Sequence, residues 1–108
     1  MHFLGISGSL RRQSFNTAAL RACAKLLPEG VTMELADISA IPLYNEEIRE
    51  QGLPASVQKL REQITAADAL VIATPEYNYS MPGVLKNAID WASRPPSQPF
   101  DGKPIALL

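Results

Sequence analysis

The chain has 108 residues and a formal net charge of −1; its length allows one small domain, and the absence of a basic stripe argues against a nucleic-acid partner. No apolar run approaches the roughly 20 residues that a membrane-spanning helix needs, and the N-terminus carries no signal-peptide pattern, so membrane insertion is not expected. The single cysteine, Cys23, cannot form an intrachain disulfide, which favours a cytoplasmic location.

The first half of the chain predicts a strand, a helix and a second strand. His2–Ser7 is apolar enough for the first strand, and Asn16–Leu27 carries apolar residues at steps of three and four, as an amphipathic helix does. The apolar face predicted for this helix comprises Phe15, Ala19, Ala22, Cys23 and Leu26. Val31–Leu35 then alternates, which predicts a strand near a sheet edge. Residues 37 to 54 are predicted to form a long irregular loop.

The second half repeats the alternation of helix and strand. A helix from Pro54 to Ala67 is followed by Ala69–Ala73, a strand that is apolar on both faces and therefore central. Val84–Trp91 predicts a third helix, for which Ser80 is the expected N-cap, with Pro82 in the first turn. Ile105–Leu108 predicts a fourth strand.

This order predicts an α/β fold with a doubly wound parallel sheet and right-handed crossovers. An edge position for the second strand suits the flavodoxin-like order 2-1-3-4-5, of which residues 1–108 reach strand 4. We therefore expect a single flavodoxin-like domain that is incomplete at its C-terminus. Several hundred Å² of uncovered apolar surface would lower the stability by roughly 10 kcal/mol, at about 25 cal/mol per Å². Typical domains have roughly 5–15 kcal/mol in total, so little stability is expected for the chain alone.

The turn after the first strand, Gly8–Thr17, has the features of an anion site. It leads from a strand into a helix N-terminus, where free N–H groups and the helix dipole attract negative charge. Serine, asparagine and threonine side chains add donors, and Arg11 or Arg12 adds a charged one. The spacing does not match the G-x-G-x-x-G or Walker A motifs. A phosphomonoester cradle is one interpretation; the other is that Ser14 or Asn16 only caps the helix and the arginines are solvated.

The loop after the central strand, Thr74–Gly83, combines aromatic, amide and carboxylate side chains. This mixture suits a flat, hydrogen-bonding ring better than a metal or a nucleophilic reaction. The first and third strands are neighbours at the switch point of the predicted sheet, where open α/β sheets bind ligands, so both loops are expected to open onto one crevice. A ligand with a phosphate and a planar heterocycle fits, and flavin mononucleotide (FMN) is the first choice.

Two motifs carry a resemblance to a known family. They are Gly8-Ser9-Leu10-Arg11-x-x-Ser14-x-Asn16 and the segment Pro75–Trp91, with Ile41–Tyr44 as a shorter match. The chain resembles the NADPH-dependent FMN reductase family along its whole length, and within it the bacterial quinone and chromate reductases. The resemblance implies that the first loop holds the FMN phosphate and that Glu76–Tyr79 contact the flavin ring. The cofactor-binding residues expected on both grounds are Ser9, Leu10, Arg11, Ser14, Phe15, Asn16, Thr17, Pro75, Glu76, Tyr77, Asn78, Tyr79 and Ser80.

The resemblance also implies an activity and an assembly. NADPH is the expected co-substrate, and hydride is expected to pass through FMN to a small acceptor such as a quinone, chromate, an azo compound or a free flavin. A homodimer or homotetramer with the flavin near the interface is expected, as is further sequence after strand 4 with a third flavin-contacting loop. The cofactor performs the difficult step, so no catalytic side chain or metal is expected. A flavodoxin-type electron carrier, or an inactive truncated chain that only oligomerises or binds a partner, are the alternatives.

Overall fold

The computed structural model describes residues 1–108, which form four strands and four helices. In chain order these are β1 (His2–Ser7), α1 (Phe15–Lys25), β2 (Thr32–Ala36), α2 (Glu46–Glu50), α3 (Ala55–Ala66), β3 (Ala69–Ala73), α4 (Gly83–Ala92) and β4 (Ile105–Leu107). All pairings are parallel and the sheet order is β2-β1-β3-β4. This confirms the predicted α/β class and doubly wound order as far as strand 4. None of the helices has both the length and the apolar character needed to cross a bilayer.

The strand register defines the two faces of the sheet. Leu4 of β1 is aligned with Leu70 of β3, and Ile6 is aligned with Ile72. Because residues in register on neighbouring strands point to the same face, these side chains form one apolar layer. It packs against α3 and α4 in a core that also includes Leu60, Ile64, Leu85, Ala88 and Ala92. Helix α1 covers the opposite face through the fully buried Leu20, which lies over Gly5.

Strand β4 is covered on neither face. All three of its residues are exposed, and Leu107 retains 73% of its accessible surface. The chain exposes 6821 Å² in total. A folded monomer of 11.8 kDa exposes about 5,900 Å² by the usual scaling with mass. The chain thus exposes on the order of 900 Å² more than that scaling gives, and the uncovered β4 contributes to the difference.

The apolar face predicted for α1 is wrong. Phe15 and Leu26 are 82% and 83% exposed, Ala22 is exposed, and Cys23 is half-buried instead of in the core. The residue that packs on the sheet is Leu20, about 140° around the helix from the Phe15–Leu26 line at 3.6 residues per turn. The spacing identifies an apolar stripe but does not say what covers it.

Two further local predictions are corrected. The loop from 37 to 54 contains α2, whose N-terminus is capped by Asn45 (Oδ1 accepts from Glu47 N–H at 2.9 Å). Glu46 and Glu47 in its first turn interact favourably with the positive end of the helix dipole. The sequence Asn-Glu-Glu is therefore the signal that predicts the start of this helix. Ser80 does not cap α4; Pro82 occupies the N-cap without a side-chain hydrogen bond, because Ser80 is held two residues earlier in a turn.

Candidate functional site

The first loop is fixed by a chain of hydroxyl contacts. Thr17 Oγ1 donates to Ser7 Oγ at 2.8 Å, which ties the start of α1 to the end of β1. Ser9 N–H donates to Ser7 Oγ at 3.3 Å. Ser14 is the N-cap of α1, and its Oγ accepts from Thr17 N–H at 3.2 Å. Ser14 is only 5% exposed, so its cap role is structural, as one of the two interpretations of this loop expected.

The cap leaves donors free at the N-terminus of α1. Thr17 N–H bonds to the Ser14 side chain and Ala18 N–H to the Ser14 carbonyl. The N–H groups of Phe15 and Asn16 have no partner in the protein. Unpaired N–H groups at a helix start form an anion site, because the helix dipole places partial positive charge there.

A polar cavity of about 350 Å³ adjoins this loop. It extends from Ser9 and Thr17 to the end of β2, and three arginines line it: Arg11, Arg12 and Arg21. On its far side, Ser39 donates to Asp37 through both its hydroxyl and its N–H, which lowers the pKa of the Asp37 carboxyl and keeps it charged. The sequence analysis did not identify Arg21, Asp37 and Ser39 as part of this site. Arg21 lies four residues after Thr17 on α1, a spacing that could have indicated it. Asp37 and Ser39 gave no such signal, because only the fold brings the end of β2 beside this loop.

The second loop folds as a tight turn at Tyr77–Ser80. The N–H of each of these two residues bonds to the carbonyl of the other, at 2.9 and 3.1 Å. Asn78 and Tyr79 between them both have positive φ, at 52° and 64°. Two consecutive positive values define a type I′ turn. The turn directs Tyr79 into solvent, where it is 97% exposed, and Tyr77 is about half exposed.

An apolar cavity of about 390 Å³ lies under this turn. Pro75, Glu76 and Ser80 form its rim, and its inner wall is made by Ile72, Leu85, Ile89 and Leu107. Leu107 of β4 belongs to this wall, and the sequence pattern gave no signal for it. Glu76 is exposed and makes no hydrogen bond. The cavity is large enough for an aromatic ring system in contact with apolar side chains on one side.

The two loops are in close contact where they leave β1 and β3. Gly8 donates its N–H to the Ala73 carbonyl at 2.8 Å. A Cβ placed on Gly8 would lie 2.4 Å from Thr74 Oγ1 and 2.9 Å from Thr74 Cβ. The strands β1 and β3 that lead into the two loops are neighbours, as expected. The single crevice expected for both loops is not found: the first loop lines a polar cavity and the second an apolar one, and the two cavities share no residue.

Helix α4 also holds the start of the long loop. The Asn87 side chain accepts from Tyr44 N–H at 2.8 Å and donates to the Pro42 carbonyl at 2.9 Å. Trp91 Nε1 donates to the same carbonyl at 2.8 Å. Trp91 is fully buried and packs α4 against this loop. Lys86 and Asp90 form an ion pair at 2.7 Å on the same helix, and Arg94 donates to the Asp90 carbonyl.

Tyr44 is the centre of a small surface network. Its ring packs edge-on against Trp91 with 4.8 Å between centroids, and the Arg94 guanidinium lies 4.9 Å from its ring centre. Its hydroxyl donates to Glu46 at 2.5 Å, which raises the pKa of the Tyr44 phenol and lowers the pKa of the Glu46 carboxyl. Arg49 pairs with the other oxygen of Glu46 at 3.2 Å. The loop is therefore held against α4 at Pro42 and Tyr44.

The chain is similar to several known reductases over nearly its full length. An NAD(P)H-dependent FMN reductase of Pseudomonas aeruginosa is 68% identical over 105 residues, which cover 97% of this chain and 57% of that protein. A quinone reductase of Escherichia coli K12 is 52% identical over 102 residues, covering 93% and 54%. The solved structure of FerB, a flavoenzyme NAD(P)H:(acceptor) oxidoreductase from Paracoccus denitrificans, superposes with a TM-score of 0.90 at 39% identity, covering 99% and 59%.

The chain thus spans a little more than half the length of the relatives it matches. A sequence model of the family described as NADPH-dependent FMN reductase matches residues 1–108 in full. The family match, the sheet order and the two loops at the ends of β1 and β3 agree with one another. The chain belongs to the NADPH-dependent FMN reductase family.

Proposed function

We propose that residues 1–108 form the FMN-binding part of an oxidoreductase that passes hydride from NADPH, through bound FMN, to a small electron acceptor. The observation that carries this proposal is the Gly8–Thr74 contact, because it sets an anion-binding loop directly beside a loop suited to a ring. A ligand that carries both a phosphate and a heterocycle suits a polar cavity and an apolar cavity at the ends of two neighbouring strands. Two similar proteins, one named as an FMN reductase and one as a quinone reductase, support the same function.

The residues of the first loop fit the phosphate of FMN. Free N–H groups at Phe15 and Asn16, the hydroxyl of Ser9 and the guanidinium of Arg11 are all donors, which suits a dianion. We assign Leu10, Ser14 and Thr17 supporting positions, since the Ser14 and Thr17 side chains hold the loop in shape. Because Gly8 has no Cβ, the backbone of the first loop can lie close to Thr74 at the end of β3.

The second loop fits the flavin ring. Ile72 and Leu85 supply an apolar wall that excludes water from one face. We propose that Tyr77, Asn78 and Tyr79 border the ring, while Pro75 shapes the start of the loop, and that Glu76 and Ser80 supply hydrogen bonds at its rim. Bound FMN would supply the hydride chemistry, and the role of the chain is to hold the cofactor, leave one face open and orient the rim donors.

We also propose a homodimer or homotetramer with the cofactor near the interface. Exposed apolar side chains surround the second loop: Leu43, Tyr77, Tyr79, Met81 and Val84. Asn87 bonds to both residues that flank Leu43 and lies one turn from Val84, so Leu43 and Val84 border one surface. Exposed aromatic and methionine side chains are typical of interface centres. We propose a quinone as the electron acceptor. Chromate, azo compounds and free flavins are further proposed acceptors, because each can reach an open face of the flavin. We propose that the protein acts in the cytoplasm.

Flavin binding by the purified chain tests the proposal. FMN is titrated into residues 1–108, and binding is followed by quenching of flavin fluorescence. We expect Arg11→Ala to weaken FMN about tenfold or more, from the loss of a charged hydrogen bond. The matched control is Lys25→Ala, which removes an exposed cation from the last turn of α1, at the opposite end of that helix from the loop. No binding by residues 1–108 and none by the same chain extended with the remaining sequence of the Pseudomonas relative would contradict the proposal.

Anaerobic mixing with NADPH separates the enzyme from the electron-carrier alternative. We expect the flavin absorbance of the FMN-loaded, extended chain to bleach on mixing without any partner reductase. If FMN binds but NADPH leaves its spectrum unchanged, the chain belongs to an electron carrier instead.

A further inference from the structure

The polar cavity beside the first loop carries more positive charge than one phosphate group requires. Arg11, Arg12 and Arg21 line it, and they are three of the ten lysine and arginine residues of the chain. The salt bridges of the chain join other residues, so no carboxylate of the protein neutralises these three side chains. Like charges gathered in one cleft attract anions and raise the local concentration of a negatively charged ligand.

Asp37 is the one carboxylate that lines this cavity, and it is held by Ser39 instead of by an arginine. Its Oδ1 accepts from Ser39 N–H at 2.9 Å and from Ser39 Oγ at 2.6 Å. These bonds lower the pKa of the Asp37 carboxyl, and the charge of Lys59 lowers it further. Three guanidinium groups therefore face one carboxylate, and the cavity keeps a net positive charge.

The FMN phosphate of the proposed function leaves two of these arginines without an anion. The donors of the first loop and Arg11 are assigned to that phosphate. Arg12 lines the same cavity from the loop, and Arg21 lines it from α1, one turn after Thr17. The cavity volume of about 350 Å³ lies in the usual range of ligand pockets, roughly 300–1,000 Å³. A single phosphate group does not fill a cavity of that size.

We infer that Arg12 and Arg21 form a second anion subsite, which binds the 2′-phosphate of NADPH while Arg11 holds the phosphate of FMN. The inference rests on the proposed function, because it says how the co-substrate of that reaction is recognised. NADPH differs from NADH only in this 2′-phosphate, so a site that prefers NADPH has to place donors around it. In dinucleotide-binding α/β folds, an arginine near the acidic position after the second strand accommodates the 2′-phosphate.

The other residues of the cavity suit the adenosine that carries this phosphate. Leu10, Leu35 and Ile38 supply apolar surface for a purine, and a guanidinium group can stack on a planar ring. Asp37 follows β2, the position from which an acidic residue accepts from the ribose in dinucleotide-binding folds. Apolar side chains and a hydroxyl acceptor beside two arginines favour a nucleoside phosphate over inorganic phosphate.

The test uses adenosine 2′,5′-bisphosphate as the probe and adenosine 5′-monophosphate as the ligand that lacks the 2′-phosphate. Both are titrated into residues 1–108 by isothermal titration calorimetry, with and without saturating FMN. We expect the bisphosphate to bind about tenfold or more tightly than the monophosphate, because charged hydrogen bonds to the 2′-phosphate are added. We also expect it to bind together with FMN. FMN affinity is measured in the same series, so a failure of the proposed function is seen separately. If FMN does not bind, selective binding of the bisphosphate still supports the subsite.

Arg21→Ala should weaken the bisphosphate about tenfold and the monophosphate by less, since only the bisphosphate carries the group that Arg21 binds. Arg21→Lys should recover part of the loss, because an ammonium group lacks the planar fork of donors. The matched control is Lys25→Ala, which removes an exposed cation one turn further along α1 and should change neither affinity. In the FMN-loaded chain extended with the remaining sequence of the Pseudomonas relative, Arg21→Ala should raise the KM for NADPH more than the KM for NADH.

Three results would overturn the inference. One is equal affinity of the chain for the bisphosphate and the monophosphate. Another is displacement of the bisphosphate by FMN, which would assign all three arginines to a single phosphate. The last is an equal loss of bisphosphate affinity in Arg21→Ala and Lys25→Ala, which would show that only the net charge of α1 matters.

Discussion

Gly8 and Thr74 are so close that residue 8 has no room for a side chain: a Cβ there would lie 2.4 Å from Thr74 Oγ1. The two residues end neighbouring strands, so the first and second loops begin from one fixed point. The relative position of the two cavities depends on this contact, since the polar cavity lies on the Gly8 side and the apolar cavity includes Thr74.

Gly8→Ala is therefore expected to destabilise the fold and to disturb ligand binding. Overpacking of this kind lowers the free energy of unfolding by about 1–3 kcal/mol. Urea unfolding followed by Trp91 fluorescence measures the loss, and an FMN titration measures the effect on the site. Gly83→Ala is the control: a Cβ at this first residue of α4 meets no atom within 4 Å. In a helix, alanine in place of glycine raises stability by roughly 0.5–1 kcal/mol. Equal effects of the two substitutions would contradict the role given to the Gly8–Thr74 contact.

The contact between α4 and the long loop supplies a second prediction. Asn87→Ala removes the acceptor of Tyr44 N–H and one of the two donors to the Pro42 carbonyl. A half-buried donor left unpaired lowers the free energy of unfolding by about 1–3 kcal/mol, which chemical denaturation measures. Lys86→Ala, one residue earlier on the same helix, removes only an exposed ion pair, for which at most about 0.5 kcal/mol is expected. If both variants unfold at the same urea concentration, the loop is not held by Asn87.

The pH dependence of the Tyr44–Glu46 hydrogen bond can be predicted with its sign. The bond raises the pKa of Tyr44. Its contribution to the free energy of unfolding is therefore complete below the pKa of an unfolded tyrosine, about 10, and is lost as the pH rises through the pKa of folded Tyr44. The bond also lowers the pKa of Glu46. Its contribution is therefore present above the pKa of an unfolded glutamate, about 4.3, and is lost as the pH falls through the pKa of folded Glu46.

Tyr44→Phe isolates this effect because it keeps the ring against Trp91. We expect the wild-type chain to be slightly more stable than the variant between the two limits, and the difference to vanish in strong acid and strong alkali. Urea midpoints of both proteins across the pH range measure it. A difference that stays constant over the whole range would show that the hydroxyl acts by packing alone.

Arg61 is expected to organise the segment after α4. Its guanidinium donates to the carbonyls of Ala92, Arg94 and Ser97 and to Ser97 Oγ, at 2.7–2.9 Å. Arg61→Ala leaves these acceptors without their charged donor. The free energy of unfolding is expected to fall by about 1.5–3 kcal/mol as a result. Arg61→Lys should recover only part of it, because an ammonium group cannot reproduce the planar fork of donors. Full recovery in the lysine variant, measured by urea unfolding, would show that charge alone matters.

The strands and their order could be predicted from local sequence pattern, whereas several residues that line the cavities depend on the tertiary fold. The bounds of β1 and β3 follow from their apolar runs, and the sheet order follows from the polar face of β2. The apolar face of α1 was predicted to be buried because spacing alone cannot distinguish a buried apolar stripe from an exposed one. Asp37 and Leu107 line the two cavities from elements distant in sequence from the two loops. Such residues are identified only after the strands are placed side by side.

The turn at Asn78–Tyr79 predicts a conflict between stability and function. Tyr79 holds a φ of 64°, a conformation that costs a non-glycine residue about 1–2 kcal/mol. Tyr79→Gly removes this strain and should raise the free energy of unfolding by up to roughly 1 kcal/mol. The same change deletes an almost fully exposed aromatic side chain from the proposed ring and subunit surface, so FMN affinity or self-association should fall.

Asn78→Gly is the matched control for this turn, since asparagine tolerates positive φ well and its replacement should change stability by much less. Urea unfolding, an FMN titration and light scattering are run on both variants. A Tyr79→Gly variant that is more stable and also retains full FMN affinity and self-association would show that the Tyr79 side chain contributes to neither FMN binding nor self-association. Lower stability in Tyr79→Gly would show instead that contacts of the ring outweigh the backbone strain.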